Sequence, residues 1–151
     1  MTTEATDLTV RKAVTVGCPI EHAFATFTDG ISGWWPVRTH SLGHEHVVAV
    51  VVEGRLGGRI YERLQDGSEH DWGTVLAWEP PTRVIFDWQP NRERPGVTEV
   101  EVRFAARGAS TDVELVHRCW ERLGQAAREV RASYEGGWDT VLGEYVHAAA
   151  R

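Results

Sequence analysis

Cysteine is scarce in this 151-residue chain. Its two copies, Cys18 and Cys119, are far apart and lack any C-x-x-C spacing, so neither a zinc knuckle nor a redox pair is indicated and two free thiols are expected. No window approaches the roughly 20 apolar residues of a membrane span. The opening MTTEATDLTVRK has no apolar stretch behind a basic head, so a soluble, cytoplasmic protein is expected, with residues 1–7 a flexible polar arm. Basic residues are outnumbered, 16 against 22 acidic ones, and the formal net charge of -6 has the wrong sign for nucleic acid or anionic membrane. Neither is expected as a partner. The absence of G-x-S-x-G, H-E-x-x-H, P-loop and G-x-G-x-x-G patterns removes the usual support for covalent hydrolases, zinc proteases and nucleotide binders. No repeat, linker or low-complexity tract divides the chain, so residues 1–151 read as one domain, long enough to bury most of its apolar surface.

Tryptophan, by contrast, is plentiful, with seven copies. Each brings a large apolar body and one N–H that wants a partner when buried, which favours an aromatic core or cavity. The segment from Gly57 to Trp88 holds three strand-like runs separated by turn chemistry. Asp66-Gly67 suits a hairpin tip, and Pro80-Pro81, which lacks backbone donors, must close one strand before Thr82 opens the next.

The rest of the chain is equally well punctuated. Leu8 to Val16 reads as a first strand. Pro19 then starts a helix in which Ile20, Ala23, Phe24 and Phe27 share a face, and Asp29-Gly30 ends it. A second helical turn is expected over Ile31 to Trp35, before Pro36, with loop beyond it. Val47 to Val52 is a β-branched strand. Val97 to Ala106 alternates, with Val100, Val102 and Phe104 inward and Glu99, Glu101 and Arg103 on a solvated face. Ala109 to Trp120 repeats the pattern, with Val113, Leu115 and His117 inward. From Gln125 onward, Val130, Tyr134, Trp138, Val141, Leu142 and Tyr145 recur at helical spacing, and Gly136-Gly137 interrupts that helix, either for close packing or to let it bend.

Three polar constellations suggest chemistry. His117, on an inner face, suits a proton shuttle or a hydrogen-bond donor to a ligand carbonyl, but equally a structural histidine held by backbone or tyrosine. Glu62 shares parity with Ile60 and Leu64; it is the best carboxylate candidate, or else an edge residue reaching solvent. His40, His44 and His46 form H-x3-H-x-H, but Pro36, Ser41 and Gly43 predict loop where an i,i+4 pair needs helix, so no metal is expected. His22 and His70 read as exposed.

The order of elements, with AFATFTDGISGWWP, GGRIYE, DWGTVLAWEPPTRVIFDW, ELVHRCWERLG and YEGGWDTVL, resembles the SRPBCC superfamily of START-like helix-grip domains. It resembles most closely the activator-of-heat-shock-ATPase-homologue (AHSA) family. The similarity runs from about Val10 to about Tyr145, and Phe24, Trp34, Trp35, Gly57, Gly58, Trp72, Gly73, Trp88, His117, Trp120, Tyr134 and Trp138 match the family pattern. It implies an α+β fold: a curved seven-stranded antiparallel sheet around a long C-terminal helix, two short helices closing one end, and a cavity between helix and sheet. It also implies adjacent, antiparallel first and last strands, so Cys18 and Cys119 lie at opposite ends of a span of about 25 Å, beyond disulfide reach.

On that frame, parity places Trp72, Trp88 and His117 in the cavity wall, and helical spacing adds Tyr134 and Trp138. Phe24, Phe27 and Trp35 fall near its closed or gated end. Trp72 and Trp78 share parity, so a bulge-free strand turns both the same way. The same tryptophans also suit a solid core. The functional expectation is a cofactor-free domain that binds a small apolar or aromatic molecule through these residues and Glu62. Two alternatives stand beside it: a cyclase- or hydratase-like enzyme using His117 or Glu62, and a protein-interaction module, chaperone-associated or homodimeric.

Overall fold

The computed structural model describes residues 8–89 and 96–150. The expected flexible arm, residues 1–7, lies outside the described residues. Seven antiparallel strands form one sheet: β1 (Val10–Val16), β2 (Val47–Val52), β3 (Arg59–Leu64), β4 (Glu69–Glu79), β5 (Arg83–Trp88), β6 (Thr98–Arg107) and β7 (Ser110–Arg118), in spatial order β1-β7-β6-β5-β4-β3-β2. Helix α1 (Ile20–Phe27), the single turn α2 (Val37–His40) and the long α3 (Ala127–Ala149) cover its inner face. This is the helix-grip architecture.

Local chemistry explains the corners. Gln65, Asp66, Gly67 and Ser68 join β3 to β4. Gly67 alone adopts the left-handed conformation, at φ 87°, and its N–H reaches the Leu64 carbonyl at 2.9 Å, as in a type I turn closed by a glycine bulge. Cys119, at φ 71°, turns the chain out of β7 into a 3-10 segment, Trp120–Ala126, which leads into α3. β1 pairs with β7 from Val10↔His117 to Val16↔Thr111, which sets Cys18 and Cys119 at opposite ends of that pair, and both are free thiols.

The inner face is mainly apolar, with Glu62, Thr98 and His117 buried among its hydrophobic residues. Val100 and Val102 on β6 are fully buried with Leu115 on β7, while α1 is tied to α3 by the Tyr145 hydroxyl, which donates to the Ala23 carbonyl at 2.7 Å. The outer face of β6 departs from expectation at Glu101, which is buried rather than solvated. Arg103 Nε and Arg118 Nη1 donate to its carboxylate at 2.7 and 2.6 Å, and Arg83 Nη1 adds a contact at 3.3 Å. Burial pushes the Glu101 carboxyl upward, but the arginines outweigh it and its pKa lies below the usual glutamate value.

Three further expectations need correction. Pro36 is followed by the helical turn α2, not by loop, because the Thr39 and His40 N–H groups return to the Pro36 carbonyl at 3.2 and 2.9 Å. The early 3-10 turn is confined to Ile31–Gly33. Strand β4 is not bulge-free: its register skips Trp72 against β3 and Leu76 against β5. The two irregularities compensate, so Trp72, Val75 and Trp78 all pack into the core while Leu76 is exposed. Gly73 marks the first of them, since a Cβ there would stand 1.8 Å from the Asp87 carbonyl oxygen.

Candidate functional site

All seven tryptophans belong to one chain of ring contacts. It runs from Trp120 through Tyr134, Trp138, Trp88, Trp35 and Trp34 to Phe27, Phe104, Phe24 and Trp78, with Trp72 in contact with both Trp35 and Trp88. Within it, α2, α3, β4 and β5 leave a cavity of about 370 Å³. Its wall contains Trp35, Trp72, Trp88, Tyr134, Trp138 and Val141, and its mouth carries Thr39, His40, Ser41, Leu42, Ser133 and Gly137. That volume falls within the range of drug-sized ligand pockets, about 300–1,000 Å³.

Each indole around the cavity is held by its N–H. Trp35 Nε1 donates to the His40 carbonyl at 2.8 Å, Trp72 Nε1 to Glu62 Oε1 at 2.8 Å, Trp88 Nε1 to the Tyr134 hydroxyl at 2.9 Å, and Trp138 Nε1 to His117 Nδ1 at 3.0 Å. With their polar atoms engaged by protein, the rings offer apolar surface to the cavity. No buried side-chain nitrogen or oxygen among the described residues lacks a partner.

His117 is not part of the wall; it is completely buried behind it. Nδ1 accepts from Trp138, so in the neutral ring the proton sits on Nε2, which donates to Thr98 Oγ1 at 2.7 Å. Thr98 Oγ1 passes its own proton to the Trp88 carbonyl at 3.2 Å. Desolvation holds the His117 pKa down to about 3, so the ring is neutral near pH 7 and a weak base. It positions two wall tryptophans.

Glu62 is likewise fully buried and outside the wall. Oε1 accepts from the Leu42 N–H (2.9 Å) and Trp72 Nε1, while Oε2 accepts from the Gly43 N–H (2.6 Å) and lies 3.0 Å from His70 Nδ1. Four donors occupy a carboxylate with about four acceptor sites. Glu62 thus fastens the loop at the cavity mouth to the sheet, and His70, read as exposed, is its half-exposed partner.

Phe24 and Phe27 do not line the cavity: Phe24 borders a surface groove with Trp78, and Phe27 a core void of about 10 Å³ behind the four wall indoles, Trp35, Trp72, Trp88 and Trp138. His44 Nδ1 contacts the Arg38 carbonyl at 2.9 Å and His46 pairs with Glu45 at 3.7 Å, so the three histidines do not converge. Among the described residues, no group of three His, Cys, Asp or Glu side chains is arranged to hold a metal.

The family of activator of Hsp90 ATPase homolog 1-like proteins (AHSA1) matches residues 17–148. The chain belongs to this family. Among solved structures, an anthrahydroquino-gamma-pyrone synthase, Txn09, complexed with a compound designated SUM, is 33% identical over 93% of this chain and 96% of its own, with a TM-score of 0.65. CalC, a self-sacrificing resistance protein from Micromonospora echinospora, is 29% identical over 95% of this chain and 94% of its own, with a TM-score of 0.72. A Mesorhizobium loti protein, 17% identical over 93% of this chain and 95% of its own at a TM-score of 0.67, shares the fold. No curated protein matches the chain. No helix among the described residues is long and apolar enough to cross a membrane.

In this AHSA1 chain, sequence reasoning missed His40 and the mouth residues around it. Pattern gave no lead there, because α2 is a single turn and a period needs at least two. The one local signal was Pro36, whose fixed φ suits the start of a helical turn.

Proposed function

We propose that this AHSA1 protein binds a small apolar or aromatic molecule in the cavity between its sheet and α3, and does so without using His117 or Glu62 as proton-transfer groups. One observation carries the reading. Four indoles bound a cavity of about 370 Å³, each with its N–H tied to protein. Such a wall gives a ligand rigid apolar surface at little entropic cost. The enzyme alternative that uses His117 or Glu62 needs one of them free to move a proton, whereas both His117 nitrogens and all four Glu62 acceptor sites are engaged. The similarity to a synthase solved with a bound compound supports occupancy of a cavity in this fold.

Quenching of tryptophan fluorescence by a panel of aromatic and lipid ligands tests the reading, with saturable quenching expected. Trp138→Ala should weaken a binding ligand by on the order of tenfold, because affinity here scales with buried apolar surface. His117→Ala and Glu62→Gln should weaken it only modestly in variants that still melt cooperatively. A turnover assay revealing a reaction abolished by His117→Ala, with binding intact, would sink the reading.

A further inference from the structure

Among the described residues, each polar side-chain atom around the cavity has a hydrogen-bond partner, with one exception. Ser133 Oγ donates to the Val130 carbonyl at 2.7 Å, Ser41 Oγ donates to the Val37 carbonyl, and the Tyr134 hydroxyl accepts from Trp88. The exception is His40. Its Nδ1 lies 2.6 Å from Thr39 Oγ1, but its Nε2 has no hydrogen-bond partner among the described residues. That edge of the ring faces α3 across the mouth: a Cβ built on Gly137 would stand 3.7 Å from both Nε2 and Cδ2.

The neighbours of Nδ1 decide what Nε2 offers. Thr39 Oγ1 also contacts the Pro36 carbonyl at 3.4 Å, and a carbonyl can only accept. A hydroxyl has one proton. Both contacts are met together when Thr39 donates to Pro36 and accepts from His40 Nδ1–H. In the neutral ring this leaves the Nε2 lone pair unshared at the mouth of the cavity, opposite Gly137.

We infer that His40 is the polar anchor of the cavity, accepting a hydrogen bond from a hydroxyl on the edge of an aromatic ligand whose ring system lies among the tryptophans. The ligand class is thereby narrowed from apolar aromatics in general to phenols and hydroquinones. The inference rests on the cavity reading above and deepens it. His40 can be replaced without touching that wall's scaffold, because the Trp35 indole is held by the main-chain carbonyl of residue 40, which any side chain retains.

The test is isothermal titration of the intact protein with 1-naphthol, 1-methylnaphthalene and 1-methoxynaphthalene, which share a ring system and differ in one substituent. 1-Naphthol should bind about tenfold more tightly than the other two, the worth of one hydrogen bond made in a desolvated site. His40→Phe, which keeps an aromatic ring, and His40→Ala should each abolish the preference, read as the ratio of 1-naphthol to 1-methylnaphthalene affinity within each variant. Equal binding of all three probes to the native protein, or a preference that survives both substitutions, overturns the anchor while leaving the cavity reading intact. A methoxy compound bound as tightly as the naphthol overturns the acceptor assignment. If none of the three binds, the cavity reading fails and the anchor falls with it.

Discussion

The Trp138 indole donates to His117 Nδ1 at 3.0 Å, and this bond couples a cavity wall on α3 to a buried ring on β7. The ring must stay neutral on Nδ1 for the bond to exist. Protonation there would set two donors against each other.

A pH dependence follows. The His117 pKa is lowered from an ordinary 6.5 to about 3 by burial, so between these values the unfolded chain binds a proton that the native state does not. Stability therefore rises with pH across this window. Its His117 component is fully present above pH 6.5 and is lost as pH falls toward 3, with a slope of about 1.4 kcal/mol per unit. Urea unfolding at pH 6.0 and 5.0, above the range where most carboxylates titrate, should show this loss in the native protein and a smaller one in His117→Gln. Equal slopes in the two proteins would mean that the ring is solvated or already charged.

Glu62→Gln tests the fastening of the mouth loop. A carboxamide presents N–H₂ where one carboxylate oxygen had accepted, so the N–H of either Leu42 or Gly43 loses its acceptor whichever way the amide turns. The expected cost is about 2 kcal/mol, and the Leu42 and Gly43 amides, now bonded to Glu62, should exchange with solvent faster. Unchanged exchange at both amides, together with unchanged stability, would show that other contacts hold the loop.

Much of the architecture was legible because its signals are local. The alternation of Val100, Val102 and Phe104 placed β6 correctly on the core, and the spacing of Val130, Trp138, Val141 and Tyr145 marked the buried stripe of α3. Parity even turned His117 and Glu62 inward, where the structure has them. What parity cannot distinguish is a side chain facing a cavity from one facing other protein. That depends on partners distant in the chain: Thr98 and Trp138 for His117, Leu42 and Gly43 for Glu62. The paired irregularities of β4 at Trp72 and Leu76 were equally hidden, because they are a property of two strand pairings at once. Glu101 was misjudged for the same reason, since its arginines arrive from β5 and β7 as well as β6.

The glycine pair in α3 gives the last prediction. Two adjacent glycines suggest a break, yet α3 runs unbroken from Ala127 to Ala149. A Cβ at Gly136 would meet nothing within 4 Å, and one at Gly137 would meet only the His40 ring at 3.7 Å, an ordinary contact. Packing therefore requires neither, although each costs the helix about 1 kcal/mol relative to alanine. Gly136→Ala should raise stability by about 1 kcal/mol in urea titrations and leave ligand affinity unchanged, because the position is exposed and outside the cavity wall. Gly137→Ala should give a similar gain in stability but weaken binding, since its methyl group enters the mouth beside His40. If Gly136→Ala weakened binding as much as Gly137→Ala, the two glycines would be serving a bend that α3 makes on binding, and the ligand would enter by moving the helix rather than by filling a cavity already formed.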